Sequence, residues 1–345
     1  PRQEHFLLWT RCRMAGSIEE TLTFMAESGS TLFQPSCTVV ICTRDRPECL
    51  DRCLEALSGV TYPNFDVLVV DNAPSNDRAK QVAARWSAGY MVEPLAGLSR
   101  ARNAGARAAT GEIIAYTDDD AVPQPEWLAH LVAGFRDPKV MVVTGRILPL
   151  VTAAGAGEVD SLDMGPEPRR LDRSHPLWFE MANFGGMGTG GNMAFRRAAF
   201  EVWPGFDVRL GRGAPLHGGE ENLAFYSLVL LGHALAYAPE AVVTHPFRRP
   251  LDDPRNGRRR ELETASAYMA LLLFESRHKW RTMRYLLGAV CGVRRSWRWA
   301  ASSVDYSGRP PRTPAAALFR GVFTYLRRPV QVEKPRTEHA QKPEG

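Results

Sequence analysis

No run of apolar residues in this 345-residue sequence approaches the roughly 18 that a helix needs to cross a bilayer. The longest candidates, residues 269–274 and 286–293, are far too short. The apolar patch at residues 5–9 is followed by neither an extended hydrophobic stretch nor a small-residue cleavage site, so no signal peptide is expected. Cysteine is also scarce. The six are Cys12, Cys37, Cys42, Cys49, Cys53 and Cys291, with no CxxC pair and no accompanying histidine cluster. That pattern argues against a disulfide framework and a cysteine-based zinc site, and for a reduced, intracellular chain with buried thiols. What is present is ordinary for a globular protein: 44% hydrophobic and 23% charged residues, enough for a sizeable core. The length fits one large α/β domain with appendages or two modest domains.

A net charge of +5 conceals an asymmetry. Residues 246–345 hold 21 Lys and Arg against 9 Asp and Glu, a net of +12 against −7 for the remainder. A basic tail behind an acidic body suits an anionic partner, either membrane or nucleic acid, or is simply a solvated charge run. Residues 277–299 interleave Arg and Lys with Trp280, Tyr285, Leu286, Leu287, Trp297 and Trp299. Such a helix can lie on an anionic membrane surface or pack on the body. No recognised nucleic-acid module accompanies the charge, so nucleic acid is the weaker reading.

Along the chain, residues 1–35 read as an extension with a helix near 18–26. Residues 37–42, CTVVIC, are a continuous apolar run of the kind that forms a buried parallel strand. The sequence TRDRP ends it, and Pro47 at a first helical position opens a helix through Leu57. A second buried strand spans 65–70 and ends at Asp71, and a helix follows over 77–88. A short strand is expected at 91–92, a small-residue helix at 99–109, and a strand at 112–116 running into Asp118, Asp119 and Asp120. Alternation of this kind predicts an open parallel sheet with helices on both faces, whose ligands bind beyond the carboxyl ends of the strands. Residues 151–191 turn to Gly, Pro and charge and read as a mobile loop region. A literal GxGxxG at 186–191 is no dinucleotide fingerprint, because it neither follows a buried strand nor opens a helix. Further elements are a strand at 192–195, a helix at 221–232, short strands at 235–237 and 241–244, and a basic, mostly helical region beyond 248. The Pro-rich end after Pro329 reads as disordered.

Asp71 and the aspartate triplet fall at strand ends. Three adjacent carboxylates repel one another and need a cation to offset them. In an extended segment Asp118 and Asp120 project to one side and Asp119 to the other, and their hard oxygens suit Mg²⁺ or Mn²⁺. A solvated acidic turn is the plain alternative. His245 ends an apolar strand, where a lone histidine is usually structural unless Asp120 lies near it. Glu220 and Glu221 precede an apolar helix. The dipole there keeps a carboxylate anionic, as a general base must be, although an acidic capping pair would look the same. Arg100, Arg102 and Arg107 offer cations for a diphosphate or are plain surface charge.

The order of these signals is more specific than any one of them. Thr43-Arg44 is followed by VVDN at 69–72, GLSRARNAG at 97–105, ATGEII at 109–114 and Asp118 to Asp120. GGNMAFRR at 190–197, GFD at 205–207, GGEE at 218–221 and VTH at 243–245 complete the series. It resembles the family-2 inverting glycosyltransferases over roughly residues 37–248.

The resemblance implies an α/β, GT-A-type fold with a mainly parallel, Rossmann-like sheet flanked by helices, followed by a basic, mostly helical extension. It implies a catalytic domain over 36–250, after the extension of 1–35 and before a basic helical region of 251–328 and a disordered tail of 329–345. It also implies roles. Thr43, Arg44 and Asp71 would line the nucleoside pocket, and Arg102 and Asn103 would lie near the sugar diphosphate. Asp118 and Asp120 match the family's DxD, with Asp119 between them, and His245 completes the Mn²⁺ or Mg²⁺ site. Gly191 and Asn192 would border the donor sugar and acceptor. Glu221 stands at the catalytic base position, with Glu220 as the alternative, where the family usually has Asp. The expected partners are a nucleotide-sugar donor, an acceptor that is free or lipid-linked, and an anionic membrane met from the cytoplasmic side. The loop of residues 185–191 is expected to close over the donor. Two rivals remain: a non-catalytic nucleotide-sugar-binding module, and a sugar nucleotidyltransferase, which would usually carry glycine in the loop that here reads TRDRP.

Overall fold

The computed structural model describes residues 33–149, 163–245, 254–290 and 315–327. The expected helix at 18–26, Trp297, Trp299 and the tail beyond 329 lie outside them.

Strand β1 (Cys37–Thr43) is buried except at half-buried Cys42, as its unbroken apolar run requires. Helix α1 (Pro47–Ser58) starts on Pro47 and turns Leu50, Cys53, Leu54 and Leu57 inward at helical spacing. Then come β2 (Phe65–Asn72), α2 (Arg78–Arg85), β3 (Gly89–Glu93), α3 (Leu98–Ala108) and β4 (Ile113–Asp118). The next elements are β5 (Val122–Pro123), α4 (Trp127–Ala133) and β6 (Val140–Pro149). Beyond residue 163 lie β7 (Arg169–Leu171), α5 (Trp178–Phe184), β8 (Asn192–Arg196), α6 (Ala199–Val202), α7 (Glu220–Leu230) and β9 (Ala234–His245). Three further helices are α8 (Pro254–Glu275), α9 (Lys279–Val290) and α10 (Ala315–Arg327). No helix among the described residues is long and apolar enough to cross a membrane.

Among the described residues nine strands form one sheet in the order β3-β2-β1-β4-β8-β6-β9-β5, with β7 also on β9. The four strands β3, β2, β1 and β4 are parallel. β8 runs antiparallel between β4 and β6, and β6 pairs in parallel with β9. Successive side chains of a strand face opposite ways, which builds a core on each face. Val39, Ile41, Val69 and Ile113 pack with Leu50, Leu54 and Trp127 on one side. Val40, Val70, Ile114 and Tyr116 pack with Ala101, Ala104, Phe179 and Phe225 on the other.

Three expectations change. The strands foreseen at 235–237 and 241–244 are one twelve-residue strand, β9, which keeps its pairing with β6 through a register shift at Gly145 and Arg146. Residues 163–191 are not a featureless loop, because they contain β7 and the buried helix α5. Residues 185–191 are packed in this structure. Met187 is fully buried, and a Cβ on Gly188 (φ +88°) would lie 2.6 Å from Thr144.

Candidate active site

Strand register assembles the site. Thr43 pairs with Asp71 across β1 and β2, while Cys42 pairs with Asp118 across β1 and β4. Thr117 pairs with Asn192 across β4 and β8, which sets Gly191 against the triplet: a Cβ there would meet Asp118 Oδ2 at 2.9 Å. β5 turns back antiparallel onto Val243 and Thr244 and so delivers His245 to the carboxylates.

The triplet divides as period-two geometry requires. Asp118 and Asp120 face His245, whose Nε2 lies 3.6 Å from Asp118 Oδ2 and 2.8 Å from Asp120 Oδ1. One ligand atom from each of the three residues falls within 4.8 Å of the others. Asp119 points away, accepting from Thr43 Oγ1 at 2.7 Å and pairing with Arg46 Nη1 at 2.7 Å. Arg46 also pairs with Asp120. Burial favours the neutral form of each of these groups, and their partners decide the outcome. For Asp119 burial prevails over Arg46 and Thr43, so its pKa rises to about 6. Burial also works against ionised Asp120, but His245 and Arg46 outweigh it and hold the carboxyl well below the ordinary range. Burial disfavours protonated His245, yet Asp118 and Asp120 raise it to about 9. Two carboxylates and an imidazole on one side of a loop form a hard oxygen and nitrogen donor set that fits a divalent cation.

Toward β3 the Asp71 carboxyl is sealed from solvent. Its Oδ2 accepts from Tyr90 OH at 2.8 Å, while buried Oδ1 has no hydrogen-bond partner among the described residues. Burial raises the Asp71 pKa against the Tyr90 bond. Asn72 beside it accepts from Gly97 N at 2.8 Å and donates to Leu95 O at 2.8 Å, tying β2 to the start of α3. Asp45 (φ +53°) and Ala73 (φ +48°) take the left-handed backbone in the loops after β1 and β2. The two loops are joined where Ser75 donates its N and Oγ to Asp45 Oδ1. Such conformations persist in non-glycine residues when the surroundings hold them, often at binding sites. Arg44 is exposed beside them.

Toward α7, Arg102 leaves α3 and is buried. Its Nη1 lies 2.8 Å from Glu220 Oε1 and its Nη2 donates to Gly190 O at 3.0 Å. Glu220 and Glu221 begin α7 after Gly219. Glu221 is partly exposed, and burial, then the charge of Glu220, raise its pKa well above the usual carboxylate range, against the lowering effect of Arg102.

Four expected donor-side or base-side groups are occupied within the protein. Arg102 holds Glu220 through Oε1, although the buried Oε2 of Glu220 has no hydrogen-bond partner among the described residues. Asn103 donates to Phe206 O and accepts from Phe206 N, each at 2.8 Å, fixing that turn. Asn192 donates to Arg146 O at 2.9 Å and Ala241 O at 2.8 Å, and accepts from Trp127 Nε1 at 2.8 Å. These side chains shape the wall and present little to a ligand. Thr43, Asp71, Asp118, Asp120, Gly191, Glu221 and His245 do line the carboxyl end of the sheet. Sequence reading passed over Arg46, Asn72 and Tyr90. Arg46 had one signal, a cation one residue before the helix-opening Pro47.

Residues 38–203 match the family described as Glycosyl transferase family 2. The chain is 32% identical over 121 residues to Glycosyltransferase AglE of Haloferax volcanii, covering 33% of this chain and 40% of that one. It is 30% identical over 225 residues to the Pre-mycofactocin glycosyltransferase of Mycobacterium tuberculosis, covering 63% of this chain and 44% of that one. The matched stretch thus spans less than half of either relative. Among solved structures, the mannosyltransferase PcManGT from Pyrobaculum calidifontis, in complex with GDP-Man and Mn²⁺, superposes with a TM-score of 0.53 at 18% identity. That likeness covers 85% of this chain and 87% of that one, and it is a likeness of fold.

Proposed function

We propose that this chain, whose residues 38–203 match glycosyl transferase family 2 and whose fold is of the GT-A type, moves a sugar from a nucleotide-diphosphate-sugar to an acceptor hydroxyl with inversion. One observation carries this reading. The Gly190–Gly191 turn touches both clusters: a Cβ on Gly191 would lie 2.9 Å from Asp118, and one on Gly190 would lie 2.7 Å from Arg102, the partner of Glu220. A leaving diphosphate and an attacking hydroxyl need a cation site and a base that are neighbours.

On this reading Asp118, Asp120 and His245 hold Mn²⁺ or Mg²⁺. When bound, the cation supplies charge neutralisation for the departing diphosphate. The PcManGT structure, with GDP-Man and Mn²⁺, supports that assignment. Asp71 Oδ1, buried without a partner, accepts from an N–H of the nucleobase, which fits uridine, thymidine and guanosine donors. Glu221 takes the proton of the acceptor hydroxyl as that oxygen attacks the anomeric carbon, and a single displacement inverts the centre. A base raised toward neutrality by burial suits this work. The transferred group is a hexose or deoxyhexose, and residues 36–250 are the catalytic domain. The acceptor is carried on a lipid and met at the cytoplasmic face of an anionic membrane by the basic region that follows. A sugar nucleotidyltransferase, or a binding module without catalysis, would not need a carboxylate at the start of α7.

The test is thermal stabilisation by UDP-, dTDP- and GDP-sugars, each with and without Mn²⁺, followed by transfer assays on wild type and Glu221→Gln. One nucleotide class should stabilise the chain, more strongly with metal. Loss of donor binding in Glu221→Gln would remove it as the base.

A further inference from the structure

Helices α9 and α10 carry apolar residues on their outward as well as their inward faces. Their inner faces are mixed anchors, and Val322 and Tyr325 of α10 pack with Leu271 and Ala267. In α9, Thr282 is buried, Arg281 lies 3.4 Å from Glu180 and Tyr285 stacks on Phe184 at 3.8 Å. In α10, Tyr325 is buried and donates to Glu275 Oε1 at 2.8 Å, while Gly321 sits against Ser266 of α8. The outer faces are apolar. Trp280, Met283 and Leu287 recur at i, i+3 and i+7 along α9, and Phe319, Phe323 and Leu326 at i, i+4 and i+7 along α10. Trp280 is 85% exposed, Phe319 74% and Leu326 61%. On α10 the stripe flanks a groove lined by Phe319, Arg320, Val322, Phe323 and Leu326.

The charges carried by these two helices have one sign, although Arg320 lies 3.8 Å from Glu263 of α8. Residues 279–290 contain Lys279, Arg281 and Arg284, and residues 315–327 contain Arg320 and Arg327, with no Asp or Glu in either helix. Arg327 lies 3.9 Å from the centre of the Phe323 ring, so a cation and an apolar ring share one spot. A second copy of the same face would set these cations against one another, which disfavours self-pairing. An acyl and headgroup boundary with negative charge meets both demands at once, because the rings enter the apolar layer while the cations remain at the headgroups.

We propose that the outward faces of α9 and α10 dock on an anionic lipid surface, with Phe319, Phe323 and Leu326 as the inserted stripe of α10. This deepens the reading of a membrane-borne acceptor, but its support is the two helix faces and it stands without the transfer reaction.

Full-length chain is sedimented with vesicles of phosphatidylcholine, with and without phosphatidylglycerol. It should pellet with the anionic vesicles and remain in solution with phosphatidylcholine alone. Phe319→Ser combined with Phe323→Ser should lower partitioning at least about ten-fold. Arg320→Gln and Arg327→Gln should each lower it about five-fold, less at high salt. Both sets of substitutions lie on exposed positions and should leave the donor-induced thermal shift unchanged, so a failure of docking is distinguishable from a failure of the transferase reading. A parent chain that stays in the supernatant, a double Phe variant that pellets like the parent, or a dimer that these substitutions dissolve would overturn the proposal.

Discussion

Arg102 and Glu220 are joined at 2.8 Å with side chains only 4% and 7% exposed, and the same guanidinium holds the carbonyl of Gly190. One buried cation therefore links α3, the glycine floor and the first turn of α7. Such a pair contributes little net stability relative to apolar packing, but removing one partner leaves a buried charge alone. Arg102→Gln should cost about 3–5 kcal/mol in denaturant unfolding. Arg102→Lys keeps the charge without the two-pronged geometry and should fall between. A loss under about 1 kcal/mol for Arg102→Gln would mean the pair is not buried as described.

Glu221→Gln should lower the transfer rate by about 10²–10⁴-fold while donor affinity changes little. The pH dependence has a fixed sign. Burial and Glu220 raise the Glu221 pKa above its ordinary 4.5, so the base protonates, and kcat falls, at a higher pH than an ordinary carboxylate would allow. For stability, a raised carboxylate favours folding below its unfolded pKa and loses that contribution as pH rises through the folded one. Glu221→Gln should flatten stability over that interval. A kcat profile unaltered down to the ordinary carboxylate range would contradict the assignment.

Chelation should weaken the thermal shift produced by the nucleotide-sugar, and Mn²⁺ should restore it. Asp120→Asn should abolish most of the metal-dependent increment while leaving the shift seen without metal. Equal increments in wild type and variant would place the cation elsewhere.

Arg46→Met should leave Asp119 and Asp120 without their shared cation. Asp119 is nearly sealed, so the substitution should destabilise the donor-free chain by about 1–3 kcal/mol, measured by unfolding. Arg44→Met, on an exposed side chain, should change stability by less than about 0.5 kcal/mol.

Gly188→Ala should destabilise the fold by about 1–3 kcal/mol, because the new methyl meets Thr144 at a positive φ. Residues 185–191 should also resist limited proteolysis with or without donor, as packed segments do. Cleavage there that donor suppresses would restore the closing loop first expected from its glycines.

Much of the fold was legible because its signals are local. The apolar run of β1, Pro47 at the start of α1 and the alternating strands and helices through Asp118 each follow from residue chemistry and short-range period. The candidate ligands were legible too, because three consecutive aspartates and a histidine closing an apolar strand are conspicuous in one dimension. Tertiary structure decided which groups are available. Asn103 and Asn192 look like ligand-binding amides in sequence, but Phe206, Trp127, Ala241 and Arg146, all distant in the chain, take up their hydrogen bonds. Residues 185–191 read as flexible because glycine permits many conformations, yet here they pack against Thr144, Arg102 and Asp118. Sequence fixes what a side chain can do, whereas long-range register and burial determine which partner it meets and which charge state it keeps.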